Sequence, residues 1–269
     1  MSNNDRGVNK IIKGGDDHLS ELFSELLLTA AKLPGVHIDR AEYLKGTLKN
    51  ICTDEEIERA VFTTPAAAGI SREILDKAAK DSIILETIKV TALSAAAGIP
   101  GGVATVATVP ADMAQHLGHM LRVSQKLAYI YSWPDLFESG PEEVDDGTQA
   151  MLTLFVGVMV SAHSASAVVG RVSEMISNQA VKKLPRQALT KGVIYPAVKK
   201  VARILGAKMT KQIFANWVSK AVPVFGAAVS GGITLATFAP MSNRLKTHLA
   251  ELDLARPVLS AGKPGATTD

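Results

Sequence analysis

The chain has 269 residues, with 29 Lys and Arg against 26 Asp and Glu, 47% hydrophobic content, only 5% aromatic content and one cysteine, Cys52. That length buries a large core; an apolar mass of Ala, Val, Leu and Ile with 21 Gly speaks against a β-sandwich, and a lone thiol excludes an intrachain disulfide and fits a reducing, cytoplasmic setting. The charge is polarised: residues 1–174 carry 15 basic and 23 acidic side chains, whereas 175–250 carry twelve basic and no acidic ones.

The first fifteen residues are polar, hold three glycines within the opening MSNNDRGVNKIIKGG, and lack an apolar core of signal-peptide length, so 1–15 is expected to be disordered. Order is expected from 16 to 254 as one all-helical domain, with a disordered tail over 255–269. Asp16 and Asp17 precede an amphipathic helix over 19–33 that Pro34-Gly35 ends. Asp39 caps a second helix reaching about Cys52. Thr53 and Glu56 stand at capping-box spacing for a short helix to about Phe62. Ser71 caps a long helix through Ala97. The run Gly98-Ile-Pro100-Gly101-Gly102 interrupts it, because proline removes a donor and glycine relaxes the backbone. A helix over about 103–131 follows, with a kink expected at Pro110. An acidic connection runs from Trp133 to Gly147, and helical sequence resumes to about Lys183. Pro185, Gly192 and Pro196 punctuate the approach to two last helices, about 197–221 and 224–254. The fold class is all-α: a single multi-helix bundle whose Gly/Pro-broken, small-residue-rich hairpins turn at Gly98–Gly102 and at Pro223 and Gly226.

Three stretches carry no Lys, Arg, Asp or Glu: 90–111, 147–170 and 221–243. Each is long enough to cross a hydrocarbon core as a helix. Their Ala, Gly, Ser and Thr content makes them weaker spans than Leu-rich sequence, and the sequence leaves buried core, shallow embedding and spanning open. Gly157, Ser161 and Ala165, spaced by four, would line one helix face and let backbones approach, as would Ala227 and Gly231. Residues 101–110 and 231–240 share a Gly-Gly start and a Pro end.

The segment VKKVARILGAKMTKQIFANW, 198–217, places Val198, Val201, Leu205, Met209, Ile213 and Trp217 on one face and Lys200, Arg203 and Lys211 opposite. Such a helix suits an anionic interface. Lys199, Lys200, Arg203, Lys208, Lys211 and Trp217 are therefore the candidate membrane-contact residues. Aromatics for base stacking are scarce here and no zinc-finger or RNA-binding signature appears, which sets nucleic acid aside. Asp112, His116 and His119 stand at i, i+4 and i+7, a spacing that turns one carboxylate and two imidazoles to one helix face and nominates a metal site. No fourth ligand is nominated by spacing. Gly98–Gly102 is followed by no Walker Lys-Ser/Thr, and the serines of 161–166 lack a nucleophile elbow, so no cofactor and no nucleophilic catalysis are expected.

Residues 98–137, GIPGGVATVATVPADMAQHLGHMLRVSQKLAYIYSWPDLF, resemble the first conserved block of the EcsC-type bacterial proteins, through Pro110, Asp112 and Tyr131. There the tyrosine is often followed by Gly; here Ser132 follows. Residues 220–245 are similar to the family's late block at Lys220, Pro223, Gly226 and Asn243. The resemblance, over about 80–255, implies an all-α protein that is cytoplasmic or at the inner face of the membrane. It supplies no established enzymatic activity. The expectation is a non-enzymatic protein peripheral to the inner membrane or a membrane complex. The alternatives are a metal-dependent enzyme using Asp112, His116 and His119, and a soluble adaptor whose basic half binds an acidic protein.

Overall fold

A computed structural model describes residues 3–97, 108–137, 143–179, 182–220 and 226–256, with side chains described over 17–92, 113–137, 143–179, 182–209 and 236–256. Among these residues every regular element is helical: α1 (Asn3–Ala31), α2 (Arg40–Leu48), α3 (Asp54–Phe62), α4 (Arg72–Ala97), α5 (Thr108–Ile130), α6 (Asp146–Met159), α7 (His163–Ser177), α8 (Arg186–Thr190), α9 (Tyr195–Lys220) and α10 (Gly226–Glu251), followed by a 3-10 turn over Asp253–Ala255. The all-α bundle expected from composition is the fold of the chain. Helix α1 starts at Asn3, ahead of residue 16 where the sequence pattern placed the start of order. Of the glycines and prolines expected to turn the hairpins, only Gly226, the first residue of α10, falls within the described residues; Gly98, Pro100, Gly101, Gly102 and Pro223 lie outside them.

Local chemistry sets the helix starts. Asp39 accepts from the Glu42 amide at 2.7 Å. Thr53 and Glu56 form a reciprocal capping box, with the Thr53 amide donating to Glu56 Oε2 at 2.8 Å, and each box satisfies amides that have no helical partner. Asp145 caps α6 by accepting from the Gly147 and Thr148 amides. Pro110 differs from expectation. It is the third residue of α5 and sits in the first turn, where a missing amide proton breaks no helical bond, so it helps to start the helix.

The helical run expected from 147 to 183 is two helices. Helix α6 closes with a Schellman motif: the Ser161 amide donates to the Val158 carbonyl at 3.0 Å and the Ala162 amide to the Gly157 carbonyl at 2.8 Å, with Ser161 left-handed at φ 58°. Gly157, Ser161 and Ala165 thus do not line one helix. Gly157 and Ala165 face each other across the corner, and a Cβ on Gly157 would lie 2.8 Å from Ala165 Cβ and 2.6 Å from Val201 Cγ1. Close approach is why glycine stands there. Helix α5 ends in the same way, with Ser132 at φ 69°.

Helix α6 is the hub, in contact with α1, α5, α7, α8, α9 and α10. Nearly every residue from Gly147 to Met159 is buried, as suits a helix apolar all round. Trp133 meets Phe155 edge to face at 5.1 Å. Two pairings fix the long helices. Helices α4 and α5 run antiparallel, with Glu86 opposite His119, Arg122 and Lys126. Helices α4 and α10 also run antiparallel: Arg72 donates to the Ala250 carbonyl, and Lys246 Nζ lies 3.6 Å from Asp76. The C-terminus of α4, the N-terminus of α5 and the N-terminus of α10 consequently lie at one end of the molecule.

Candidate functional site

The inward stripe of α4 runs Leu75, Ala79, Ile83, Val90, and Glu86 falls within it, fully buried. Facing it, α5 presents His119, Arg122 and Lys126 at i, i+3 and i+7, which share one helix face. Lys126 Nζ donates to Glu86 Oε1 at 2.6 Å, Arg122 Nε lies 3.3 Å from both carboxylate oxygens, and His119 Nδ1 is 3.1 Å from Oε2. Lys89, one turn on, brings Nζ to 3.9 Å. Burial alone would raise the Glu86 pKa; the hydrogen bonds from His119 and Lys126 and the charges of Lys126 and Arg122 outweigh it and hold the carboxyl at about 2. Lys126 also sits 5.6 Å over the Tyr43 ring, whose hydroxyl is 2.6 Å from Ser82 Oγ. Burial pushes the Tyr43 hydroxyl up to about 12. Arg122 Nη1 rests beside Gly35, where a Cβ would be 3.3 Å away and φ is 75°.

The three residues nominated for a metal separate in part. His119 Nδ1 is turned to Glu86, and His116 stacks edge to face on Phe238 at 6.1 Å. Burial, then the neighbouring His119, lowers the His116 pKa to about 4. Asp112 lies in α5, with its side chain outside those described. Among the described residues no group of three His, Cys, Asp or Glu side chains is arranged to hold a metal.

The basic half divides its charge. Lys208 donates to the Val160 carbonyl at 2.6 Å and Arg244 to the Met159 carbonyl at 3.1 Å, so two cations close the C-terminus of α6. Lys182 does the same for α7 at the carbonyls of Ser177 and Gln179. Arg186 pairs with Asp145 and Lys246 with Asp76. Lys199 Nζ reaches 3.7 Å from Asp17 with both side chains more than half exposed, a pair of small energetic weight. Lys200 is exposed and Arg203 half-buried. Lys211 and Trp217 are in α9, with side chains outside those described.

One surface was not anticipated from the sequence. Ile84, Leu85 and Ile88 on the outer face of α4 are 57%, 48% and 59% exposed, and they run into the charge-free stretch that begins at residue 90. The Glu86 centre was missed too. Its signal was available: a carboxylate on the apolar stripe of α4, and three basic side chains on one face of α5. Compared with family models, with curated proteins and with solved structures, the chain matches none.

Proposed function

We propose that this is a non-enzymatic protein that docks on an anionic membrane, such as the cytoplasmic face of an inner membrane, and embeds its hairpin end in one leaflet. The observation that carries the reading is the antiparallel register of α4 with α5 and α10. It places the end of α4, the start of α5 and the start of α10, each within one of the charge-free tracts 90–111 and 221–243, at a single end of the bundle. Below that end Ile84, Leu85 and Ile88 form an exposed apolar patch on α4. Contiguous exposed apolar surface marks a contact site.

The dimensions agree with one leaflet. Lys89 is eight residues from Ala97, about 12 Å along α4, and Arg122 is fourteen from Thr108, about 21 Å along α5. Half a hydrocarbon core is about 15 Å. Lys89 and Arg122 therefore stand near headgroup depth when the helix ends are embedded, and Ile88 and Ile84, about 14 and 20 Å from Ala97 along α4, reach the interfacial layer rather than the hydrocarbon. No described helix is long and apolar enough to cross a membrane, and this mode of docking needs none.

Cosedimentation with vesicles tests it. The protein is expected to pellet with vesicles containing phosphatidylglycerol and to remain in the supernatant with phosphatidylcholine alone. Ile84→Glu with Ile88→Glu, both at exposed positions, is expected to abolish pelleting while leaving the thermal midpoint within a few degrees. Equal pelleting of wild type and the double variant would overturn the assignment.

A further inference from the structure

We propose that the Glu86 centre is a recognition site for a phosphate dianion, held by Arg122 and Lys89 with Lys126 behind them. Charge and access both point to such a ligand. Three permanent cations, Lys89, Arg122 and Lys126, converge on one carboxylate, which leaves two positive charges in excess before His119 is considered. Among the described residues no second carboxylate enters an ion pair with any of them. The Arg122 and Lys126 side chains are 19% and 7% exposed; uncompensated charge so placed is costly, and a dianion would neutralise it.

The geometry leaves the means to bind one. Among the described residues Arg122 spends its Nε on Glu86, and no other hydrogen bond is made by its guanidinium, so the Nη pair remains as a planar fork suited to two phosphate oxygens. That fork lies against the Pro34–Gly35 turn, where a Cβ on Gly35 would stand 3.3 Å from Nη1 and crowd it. Lys89 holds Glu86 only loosely, at 3.9 Å, and its side chain is 45% exposed. Lys126 is almost wholly buried, its side chain 7% exposed, and serves to anchor Glu86, which in turn orients Arg122. A surface ion pair would show neither the surplus nor the free fork.

The same chemistry is offered by a soluble phosphomonoester and by the headgroup of phosphatidic acid. The site does not require the membrane reading, and the experiment separates the two. Glycerol 3-phosphate is titrated into the full chain without lipid by calorimetry, with chloride at matched ionic strength as control. In parallel, vesicles of phosphatidylcholine with phosphatidic acid are compared with phosphatidylglycerol at equal surface charge. Lys89→Gln and Arg122→Gln are each expected to weaken whichever binding is found by about tenfold or more, since a hydrogen bond to a charged partner is lost. Lys89 is exposed, so its variant tests the site even if Arg122→Gln disturbs packing. Binding in the soluble arm identifies a free phosphomonoester, and preference in the vesicle arm alone identifies the lipid. No binding beyond chloride in the first arm with no preference in the second, or unchanged affinity in Lys89→Gln, overturns the proposal. Loss of all vesicle binding with soluble binding intact would remove the membrane reading and leave the phosphate site standing.

Discussion

Glu86 and Ser132 show how single side chains decide this structure. Replacing Glu86 by Gln removes the one negative charge that, among the described residues, pairs with Lys126 and Arg122, and leaves these buried cations unpaired. Breaking such a cluster costs about 3–5 kcal/mol, and urea unfolding is expected to show a loss of that size. The pH dependence follows from the same group. Its folded pKa, about 2, lies below the ordinary 4.5, so the ionised form is favoured by folding. That stability is complete above pH 4.5 and is lost as pH falls toward 2, on the order of 3 kcal/mol in all. His116 gives an earlier loss. Folding holds it neutral, with a pKa near 4 against the ordinary 6.5, so its contribution is complete above 6.5 and declines as pH falls toward 4. Thermal midpoints followed from pH 7 to 3 are expected to fall in both windows, and His116→Gln is expected to reduce the decline between 6.5 and 4.5, leaving the part that comes from His248, whose pKa burial also lowers. Ser132 is a different case. A serine occupies a left-handed position where the resemblance anticipates glycine, and its Oγ accepts the buried Ala66 amide at 2.9 Å. The hydroxyl offsets the backbone strain. Ser132→Ala is expected to cost about 1–3 kcal/mol, because that amide is left unsatisfied, whereas Ser132→Gly also relieves the backbone and is expected to cost less.

At the level of helices, caps were legible in the sequence and corners were not. Asp39, Thr53 and Glu56 act through neighbours a few residues away, so spacing alone exposes them. The end of α6 depends on what lies beyond it. Nothing local in Val160-Ser161-Ala162 forbids helix; the chain turns there because Lys208 and Arg244, some 48 and 85 residues on, take the last carbonyls of α6, and because Gly157 lets α7 and α9 close in. The same physics redistributes the basic half. Its acid-free composition reads as an outward-facing cationic surface, yet several of its charges terminate helices or meet Asp76 and Asp145. Gly157→Ala tests the corner. The added methyl meets Val201 and Ala165 well inside contact distance, and overpacking of this kind costs about 1–3 kcal/mol. Gly206→Ala is expected to be at least as severe, because its Cβ would overlap the Leu19 carbonyl of α1, a backbone group that cannot rotate away.

On the proposed docking, the arrangement of the whole molecule decides which cations would face the membrane. Lys208 and Arg244 hold adjacent carbonyls of α6, and from that shared point α9 runs to Lys220 while α10 runs back to Gly226, with five residues joining them. The end of α9 therefore stays close to the hairpin end of α4, α5 and α10. Measured from Lys220 along α9, Lys211 is about 14 Å away and Lys208 about 18 Å, whereas Lys199 and Lys200 are about 30 Å away. If the hairpin end embeds as proposed, the first pair comes to the headgroups and the second stays about one further leaflet depth out, beyond a Debye length at physiological salt. A helix lying flat on the surface would engage all four alike. Lys208→Glu with Lys211→Glu is thus expected to weaken binding to phosphatidylglycerol vesicles strongly, as each basic residue near an anionic surface contributes about 1 kcal/mol and reversal doubles the change. Lys199→Glu with Lys200→Glu alters net charge by the same amount and is expected to change binding little. Equal losses from the two pairs would mean that α9 lies along the membrane, and the end-on orientation would be wrong.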